Sequence, residues 1–222
     1  MEAYRTKAQL VYERLRDAIL GGRYEPGARI VLDQIASELG LSKVPVREAV
    51  TRLIGEGWLE QRPHAGAVVP QLSPDEILDI ALLRGGVEST AVRHAGPLHT
   101  PQTLAELDRL LDEMDELVVQ DSAQYPVFNA RFHIDVIGPC PHRQMRETSR
   151  TLIEQSLRFR PIRFLPLYAP DSQIEHRAIA AALQSGDWVL AADLTRRHVE
   201  GAGELLHSYA AQSLNKRGKS SA

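Results

Sequence analysis

The chain has 222 residues, of which 43% are hydrophobic and 25% charged, with a formal net charge of −3. This is the balance of an ordinary soluble protein, long enough for two modest domains or one large one. A single cysteine, Cys140, excludes an internal disulfide framework and any cysteine-rich zinc module. No apolar run approaches the roughly 18 residues of a membrane span, and MEAYRTKAQL lacks the apolar core of a signal peptide, so a cytoplasmic location is expected.

Charge divides weakly along the chain. Residues 1–70 carry ten Lys/Arg against nine Asp/Glu, and residues 71–222 carry sixteen against twenty. That contrast alone does not point to nucleic acid, so placement must decide.

A first helix is predicted over 6–20, with Val11, Leu15, Ala18 and Ile19 inward, stopping at Gly21-Gly22. Glu25-Pro26-Gly27 is a turn signal. A second helix follows over about 32–39, with Leu32, Ile35, Ala36 and Leu39 buried and Gly40 as its left-handed terminator. Only Leu41 and Ser42 separate that glycine from LSKVPVREAVTRLIGEGWL. With Ser42 as N-cap, Pro45 falls in the first turn, where a missing N–H costs little and the fixed φ stiffens the helix start. Val46, Ala49, Val50, Leu53 and Ile54 follow the 3, 4, 7, 8 spacing of a buried stripe. Lys43, Arg47 and Thr51 form a separate polar row, read either as a solvated face or as a binding face.

Two short helices across so tight a glycine turn make a helix-turn-helix, whose second helix enters the DNA major groove. Gly57–Arg62 and Ala67–Pro70, extended around Pro63-His64-Ala65-Gly66, read as a β-hairpin, either a plain ribbon or a wing. As a wing, it brings Arg62 and His64 near its tip within reach of a phosphate or the minor groove.

Ser42–Val50, set after Ala36-x3-Gly40 and before Glu56-Gly57-Trp58-Leu59, resembles the GntR family of bacterial transcription regulators. The motif of its FadR-type branch runs Ser-Arg-Thr-Pro-Val-Arg-Glu-Ala-Leu. The resemblance covers nearly all of residues 8–70 and implies a DNA-binding surface of Ser42, Lys43, Pro45, Arg47 and Thr51, with Arg62, His64 and Gly66 on the wing. Two departures bear on the operator. Lys43 replaces the usual Arg, giving a point-charge donor instead of a bidentate fork, and Asp33 stands where family members that have a basic residue in mid-helix two use it on DNA.

Ser73-Pro74-Asp75-Glu76 combines an N-cap, a proline at N1 and a capping-box glutamate, placing a domain boundary near 70–73 and a helix over 74–95. Thr100-Pro101 opens another, with Leu104, Leu107, Leu111, Met114 and Leu117 along one side and Glu106, Asp108, Asp112, Glu113, Asp115 and Glu116 as a solvated acidic face. Further helices are expected at about 124–137, 142–160, 171–185 (Asp171 as cap, Gly186 as stop) and 187–212. The fold class is therefore mainly α, a winged helix-turn-helix over 1–72 and an antiparallel all-α bundle over 73–212, with a flexible tail over 213–222.

Asn129 and His133 lie on adjacent turns of one helix face, and His176 and His198 come from later helices. Such a set can build a metal site in a bundle, or can be hydrogen-bonded or surface histidines. Arg84-x3-Glu88, Asn129-x2-Phe132-His133, Glu175–Ile179, Gly186-Asp187 and Ala192-x5-His198 resemble the FadR C-terminal ligand domain in its metal-binding form. That resemblance implies a divalent transition metal (Zn first, Ni or Mn as alternatives) on Asn129, His133, His176 and His198. It also implies a small carboxylate effector at an open coordination position, with Arg84 as its partner; a surface salt bridge is the alternative reading of Arg84. Asn129 stands where Asp is common, which predicts weaker metal retention. His142 stands where Asn is usual and is read as a supporting partner, a rival ligand or a bystander. Trp188 reads as helix packing, and Cys140 as a turn residue with a thiol sensor as the alternative.

The expected function is a homodimeric regulator, repression being its expected mode, that reads palindromic double-stranded DNA under effector control. It is not expected to be an enzyme. The alternatives are a regulator whose histidines are core residues and whose effector binds without metal, and a metal-dependent hydrolase or lyase with an accessory DNA-binding domain. Against the latter, Glu175 adjoins His176 and so points about 100° away around its helix.

Overall fold

The computed structural model describes residues 6–220 apart from 72, 121, 123 and 158–164, with side chains described outside 158–167 and 213–222. The chain divides into two compact units, Met1–Leu72 and Ser73–Ala222.

In the first unit α1 (Lys7–Leu20) is capped by the Thr6 hydroxyl, which accepts the Gln9 N–H at 3.1 Å. Helix α2 (Leu32–Leu39) stops at Gly40, whose φ of 63° lets the Leu41 N–H turn back to the Ala36 carbonyl at 2.9 Å. Helix α3 (Lys43–Gly55) follows with Ser42 as N-cap, so Pro45 is its third residue, where no intrahelical acceptor is lost. Val46, Ala49, Val50 and Leu53 are buried with Val11 and Leu15 of α1, while Ile54 is only half-buried. Tyr12 ties the two helices together: its hydroxyl donates to Glu56 at 2.5 Å and its ring lies under Arg52. Burial first, then the Glu56 bond and charge, pushes the Tyr12 phenol up to about 12.

The hairpin consists of β1 (Glu60–Arg62) and β2 (Gly66–Val68), antiparallel with Gln61 opposite Ala67. A further extended segment lies along β2: Ile30 donates to the Ala67 carbonyl at 2.8 Å and Val69 to that of Ala28 at 2.9 Å. The turn signal at residues 25–27 thus returns the chain to the sheet, a pairing that no local pattern announced. Helix-turn-helix and hairpin together make the expected winged helix.

The second unit holds α4 (Pro74–Ala95), a 3₁₀ turn (Gly96–Leu98), α5 (Pro101–Val119), α6 (Tyr125–Val136), α7 (Arg143–Leu157), α8 (Leu165–Gln184) and α9 (Trp188–Ser220). Ser73 and Glu76 form the expected capping box on α4. Helix α4 lies along α9 and α7, α8 packs on α9 and α5, and α6 on α5 and α7. Their apolar faces meet through Val92, Leu107, Leu111, Met114, Phe132, Ile153, Ile179 and Val199, all buried. Each large side chain so buried contributes about 1.5–3 kcal/mol. Helix α9 approaches α4 closely because Gly203 faces Ala81; a Cβ on Gly203 would lie 2.1 Å from that of Ala81.

Two boundaries differ from those read in the sequence. Helix α8 begins at Leu165 and runs through Pro170, so Asp171 lies inside it rather than capping it. A proline costs a helix interior about 3 kcal/mol, which burial of Tyr168 and Ala169 on the preceding turn helps offset. Helix α9 continues to Ser220, past the expected end at 212. The last part of the helix expected over 142–160 lies outside the described residues.

Candidate metal centre and nucleic-acid face

Lys43, Arg47 and Thr51 all lie exposed along α3, behind the exposed N-cap Ser42 and the half-buried Pro45. The hairpin places Arg62 at the end of β1, His64 at its tip and Gly66 at the start of β2. His64 has a φ of 61° and Gly66 one of 79°, so the tip turns through two left-handed residues, the second of which only glycine adopts without strain. Of the three cations, two already have intrachain partners. Lys43 Nζ lies 2.6 Å from Asp33 Oδ1, and Arg62 Nη2 lies 2.6 Å from Glu60 Oε1. Arg47 makes no ion pair among the described residues.

In the second unit α6 supplies Asn129 and His133, α8 supplies His176 and α9 supplies His198, all four buried. One donor atom from each histidine lies within 4.8 Å of the others. His176 Nε2 is 3.1 Å from His198 Nε2, and the Asn129 amide is 3.1 Å from His176 Nε2. The rings of His133 and His198 stack with centroids 5.2 Å apart.

What aims these rings is the set of acceptors behind them. His133 Nδ1 faces Glu88 Oε2 at 2.9 Å, and His198 Nδ1 faces Glu175 Oε2 at 2.6 Å. His176 Nδ1 faces Gln173 Oε1 at 3.3 Å, while the amide nitrogen of Gln173 donates to the Leu111 carbonyl at 2.8 Å and so fixes which end faces the histidine. Carboxylates and a carbonyl oxygen can only accept, so each neutral ring carries its proton on Nδ1 and presents an Nε2 lone pair inward. Two such lone pairs at 3.1 Å repel unless a proton or a cation lies between them. His133 Nε2 is fully buried with no hydrogen-bond partner among the described residues.

These observations fit a metal ion. Ligands 2.0–2.1 Å from a tetrahedral zinc stand about 3.3 Å from one another, close to the His176–His198 spacing. Imidazole held through Nδ1 by a carboxylate or carbonyl is the usual supporting arrangement. The Asn129 amide would turn its oxygen inward, an orientation that rotation about its last bond supplies.

The electrostatics agree with neutral rings. Burial pushes His133 down to about 3 against the pull of Glu88. Burial opposes ionisation of Glu88, but Arg84 and then His133 outweigh it and hold the carboxyl at about 2. A neutral His133 cannot supply the charge in that second contribution, so Arg84 is the cause that stands. Glu175 is lowered by its bond from His198.

Arg84 is not at the surface. It is 2% exposed beside a fully buried Glu88, with Nε 2.6 Å from Glu88 Oε1, Nη2 3.3 Å from Oε2 and Nη1 2.8 Å from Ser156 Oγ. His142 lies apart from the cluster, exposed and edge-on to His94 with centroids 4.7 Å apart. Cys140 is buried, and Trp188 lies over Gly96, where a Cβ would fall 2.5 Å from its ring.

Sequence reading missed Gln173, Glu175 and Glu88 as partners of the histidines. Glu175 does point away from His176, as its place on α8 requires, but toward His198 on α9. Gln173, three residues before His176 on the same face, left a readable trace; the other two depend on helix packing.

Residues 79–201 match the FCD domain and residues 7–69 match "Bacterial regulatory proteins, gntR family". The chain is 31% identical over 132 residues to the Nta operon transcriptional regulator of Aminobacter aminovorans, covering 60% of this chain and 63% of that protein. It is 37% identical over 95 residues to the HTH-type transcriptional regulator McbR of Escherichia coli, 43% of each chain. To the E. coli HTH-type transcriptional repressor GlaR it is 24% identical over 199 residues, 85% of this chain and 90% of that one. The match thus spans less than two thirds of the first two relatives. The solved structure of E. coli McbR/YncC shares the fold, with a TM-score of 0.73 at 24% identity over 92% of this chain and 98% of that one. The chain belongs to the gntR family of bacterial regulatory proteins and carries an FCD domain.

Proposed function

We propose that the chain is a homodimeric DNA-binding transcription regulator whose affinity for a palindromic operator is set by a small carboxylate effector at a metal centre in the helical unit. On DNA, α3 enters the major groove with Lys43, Arg47 and Thr51 toward base edges and phosphates. Ser42 and Pro45 shape its leading end, and the wing places Arg62, His64 and Gly66 on the flanking backbone. Repression by occupancy of the operator is the simplest mode, and GlaR is a named repressor.

The observation that carries the effector part is the common orientation of His133, His176 and His198, whose Nδ1 atoms are engaged and whose Nε2 atoms converge. These three and the Asn129 carbonyl would hold a divalent ion. Zn comes first for an imidazole-rich set, with Ni or Mn as alternatives. When bound, the ion supplies a Lewis-acidic position for a carboxylate oxygen. A divalent charge, neutral ligands, Glu175, and Glu88 balanced by Arg84 leave the site near +1, which favours an anion. Arg84 can meet that anion only through the N–H groups its bonds to Glu88 and Ser156 leave over.

The orphaned His133 Nε2 weighs against a purely structural histidine core. The bond between Glu175 and His198 gives that carboxylate a supporting role, which weighs against a hydrolytic one.

The test is metal content of protein purified without added metal or chelator, beside a His133→Ala/His198→Ala variant, followed by operator binding with and without small carboxylates. Near-stoichiometric metal in the parent alone, and operator affinity that changes with a carboxylate, are expected. A parent that takes up no metal even on reloading ends the metal reading. Operator affinity indifferent to every carboxylate that binds ends effector control. Turnover of a carboxylate abolished by His176→Ala would establish the enzyme instead.

A further inference from the structure

We propose that Arg84 is a positioning residue of the metal centre, acting through Glu88 on His133. The inference rests on the metal reading above and assigns Arg84 a task other than holding the effector.

Arg84 and Glu88 are four residues apart on α4 and therefore share a face. Two parallel contacts, Nε to Oε1 and Nη2 to Oε2, lay the guanidinium edge along the carboxylate and fix its plane. With the plane fixed, Oε2 is left aimed at His133 Nδ1 on α6. That contact decides which ring nitrogen bears the proton and where the orphaned Nε2 points.

Arg84 is itself anchored from the far side. The Ser156 hydroxyl on α7 donates to the Ile153 carbonyl at 2.7 Å and turns a lone pair to Arg84 Nη1 at 2.8 Å. A single line of bonds therefore runs from α7 through α4 to a ligand on α6. The other two histidines are held more simply, His176 by Gln173 braced on Leu111, and His198 by a Glu175 whose side chain is 52% exposed. His133 is the ligand whose orientation depends on a buried charge pair. An effector carboxylate taking the Nε–Nη2 edge of Arg84 would first have to displace Glu88 and so disturb the metal ligand. Arg84 should therefore govern metal affinity before it governs effector choice.

The experiment titrates cobalt(II), and zinc(II) in competition with a chromophoric chelator, into the full chain carrying Glu88→Gln, Arg84→Lys or Ser156→Ala. Glu88→Gln should weaken binding about 10–100-fold, the range for lost partners of metal ligands. Arg84→Lys keeps the charge but not the fork and should fall between it and the parent. Ser156→Ala buries no new charge, retains the fold, and should lose a few-fold. All three should alter the cobalt visible spectrum, which reports ligand orientation, with metal-free unfolding midpoints recorded alongside. Parent-like affinity and spectrum in folded variants, Ser156→Ala included, would overturn the inference and leave the metal reading intact. A parent that binds neither ion would remove the metal reading and this inference with it.

Discussion

The ammonium of Lys43, the first residue of α3, lies 2.6 Å from the carboxylate of Asp33 on α2, with the two side chains 60% and 67% exposed. An exposed pair of this kind contributes roughly 0–1 kcal/mol to stability, so its consequence lies on DNA. Lys43 must leave a partner to reach a phosphate or base, and Asp33 remains beside the duplex as a like charge. Asp33→Asn should therefore raise affinity for duplex DNA several-fold and steepen the salt dependence by about one counterion. Anisotropy with a labelled duplex across a salt series measures both. Unchanged affinity and slope would mean that Asp33 does not face the DNA.

Arg47 has no such competitor. It projects from α3 one turn beyond Lys43, exposed and without an ion pair among the described residues. Arg47→Ala should cost about 1–3 kcal/mol on operator DNA, roughly five- to more than hundredfold. Its unfolding free energy should stay within about 0.5 kcal/mol of the parent, as for other exposed positions. Loss of both together would place Arg47 in the fold rather than at the interface.

What the sequence made legible, and what it did not, divides by range. Pro45 behind Ser42, the Gly40 turn and the Ser73–Glu76 box are local chemistry within four residues, and each occurs where the pattern put it. Asn129 and His133 could be paired as neighbours on one helix face. Glu88 beneath His133 and Glu175 beneath His198 could not, because they are 45 and 23 residues away and depend on how α4, α6, α8 and α9 cross. Asp171 misled for the converse reason. Its local cap signal is sound, but α8 had already begun and tertiary burial carries it through Pro170. His142 offered suitable chemistry and only its position, edge-on to His94, removes it from the cluster.

The contact between Gly203 and Ala81 makes a packing prediction. A methyl on Gly203 would overlap the Ala81 methyl at 2.1 Å, so α4 and α9 must separate to admit it. Overpacking of this sort costs about 1–3 kcal/mol. Gly203→Ala should lower the denaturant midpoint, and adding Ala81→Gly should restore part of the loss. If the two effects simply added, the contact would not be the cause.

His99 joins α5 to α6, its Nε2 2.9 Å from the Val136 carbonyl and its Nδ1 3.1 Å from the Thr103 hydroxyl. Burial, outweighing the Val136 bond, lowers its pKa from 6.5. The unfolded chain therefore takes up a proton at a pH where the folded ring resists it. Stability is fully present above about 6.5 and is lost as pH falls toward the folded value, with a limiting slope of about 1.4 kcal/mol per pH unit. His99→Gln should flatten the parent's decline between pH 7 and pH 5, read from unfolding curves at each pH. Identical slopes would exclude His99 as a source of acid sensitivity.

Asn129 gives the last prediction. Its amide faces His176 Nε2 at 3.1 Å from within the histidine cluster, and it is the only one of the four proposed ligands that substitution can charge without changing its size. A carboxylate there would bring a formal charge to the ion, and without the ion the surrounding imidazoles, whose Nδ1 protons face away, offer it a donor only when protonated. Asn129→Asp should therefore hold zinc more tightly and release it more slowly to a chelator, while metal-free protein loses stability through an unpaired buried charge. The same charge lowers the site from near +1 to near neutral, so a carboxylate effector should bind more weakly to the loaded variant. Chelator competition, metal-free unfolding and carboxylate titration read these three effects separately. Tighter metal with unchanged carboxylate affinity would show that the effector is not drawn by the charge of the centre. Unchanged metal retention would remove Asn129 from the ligand set and leave the ion to the three histidines.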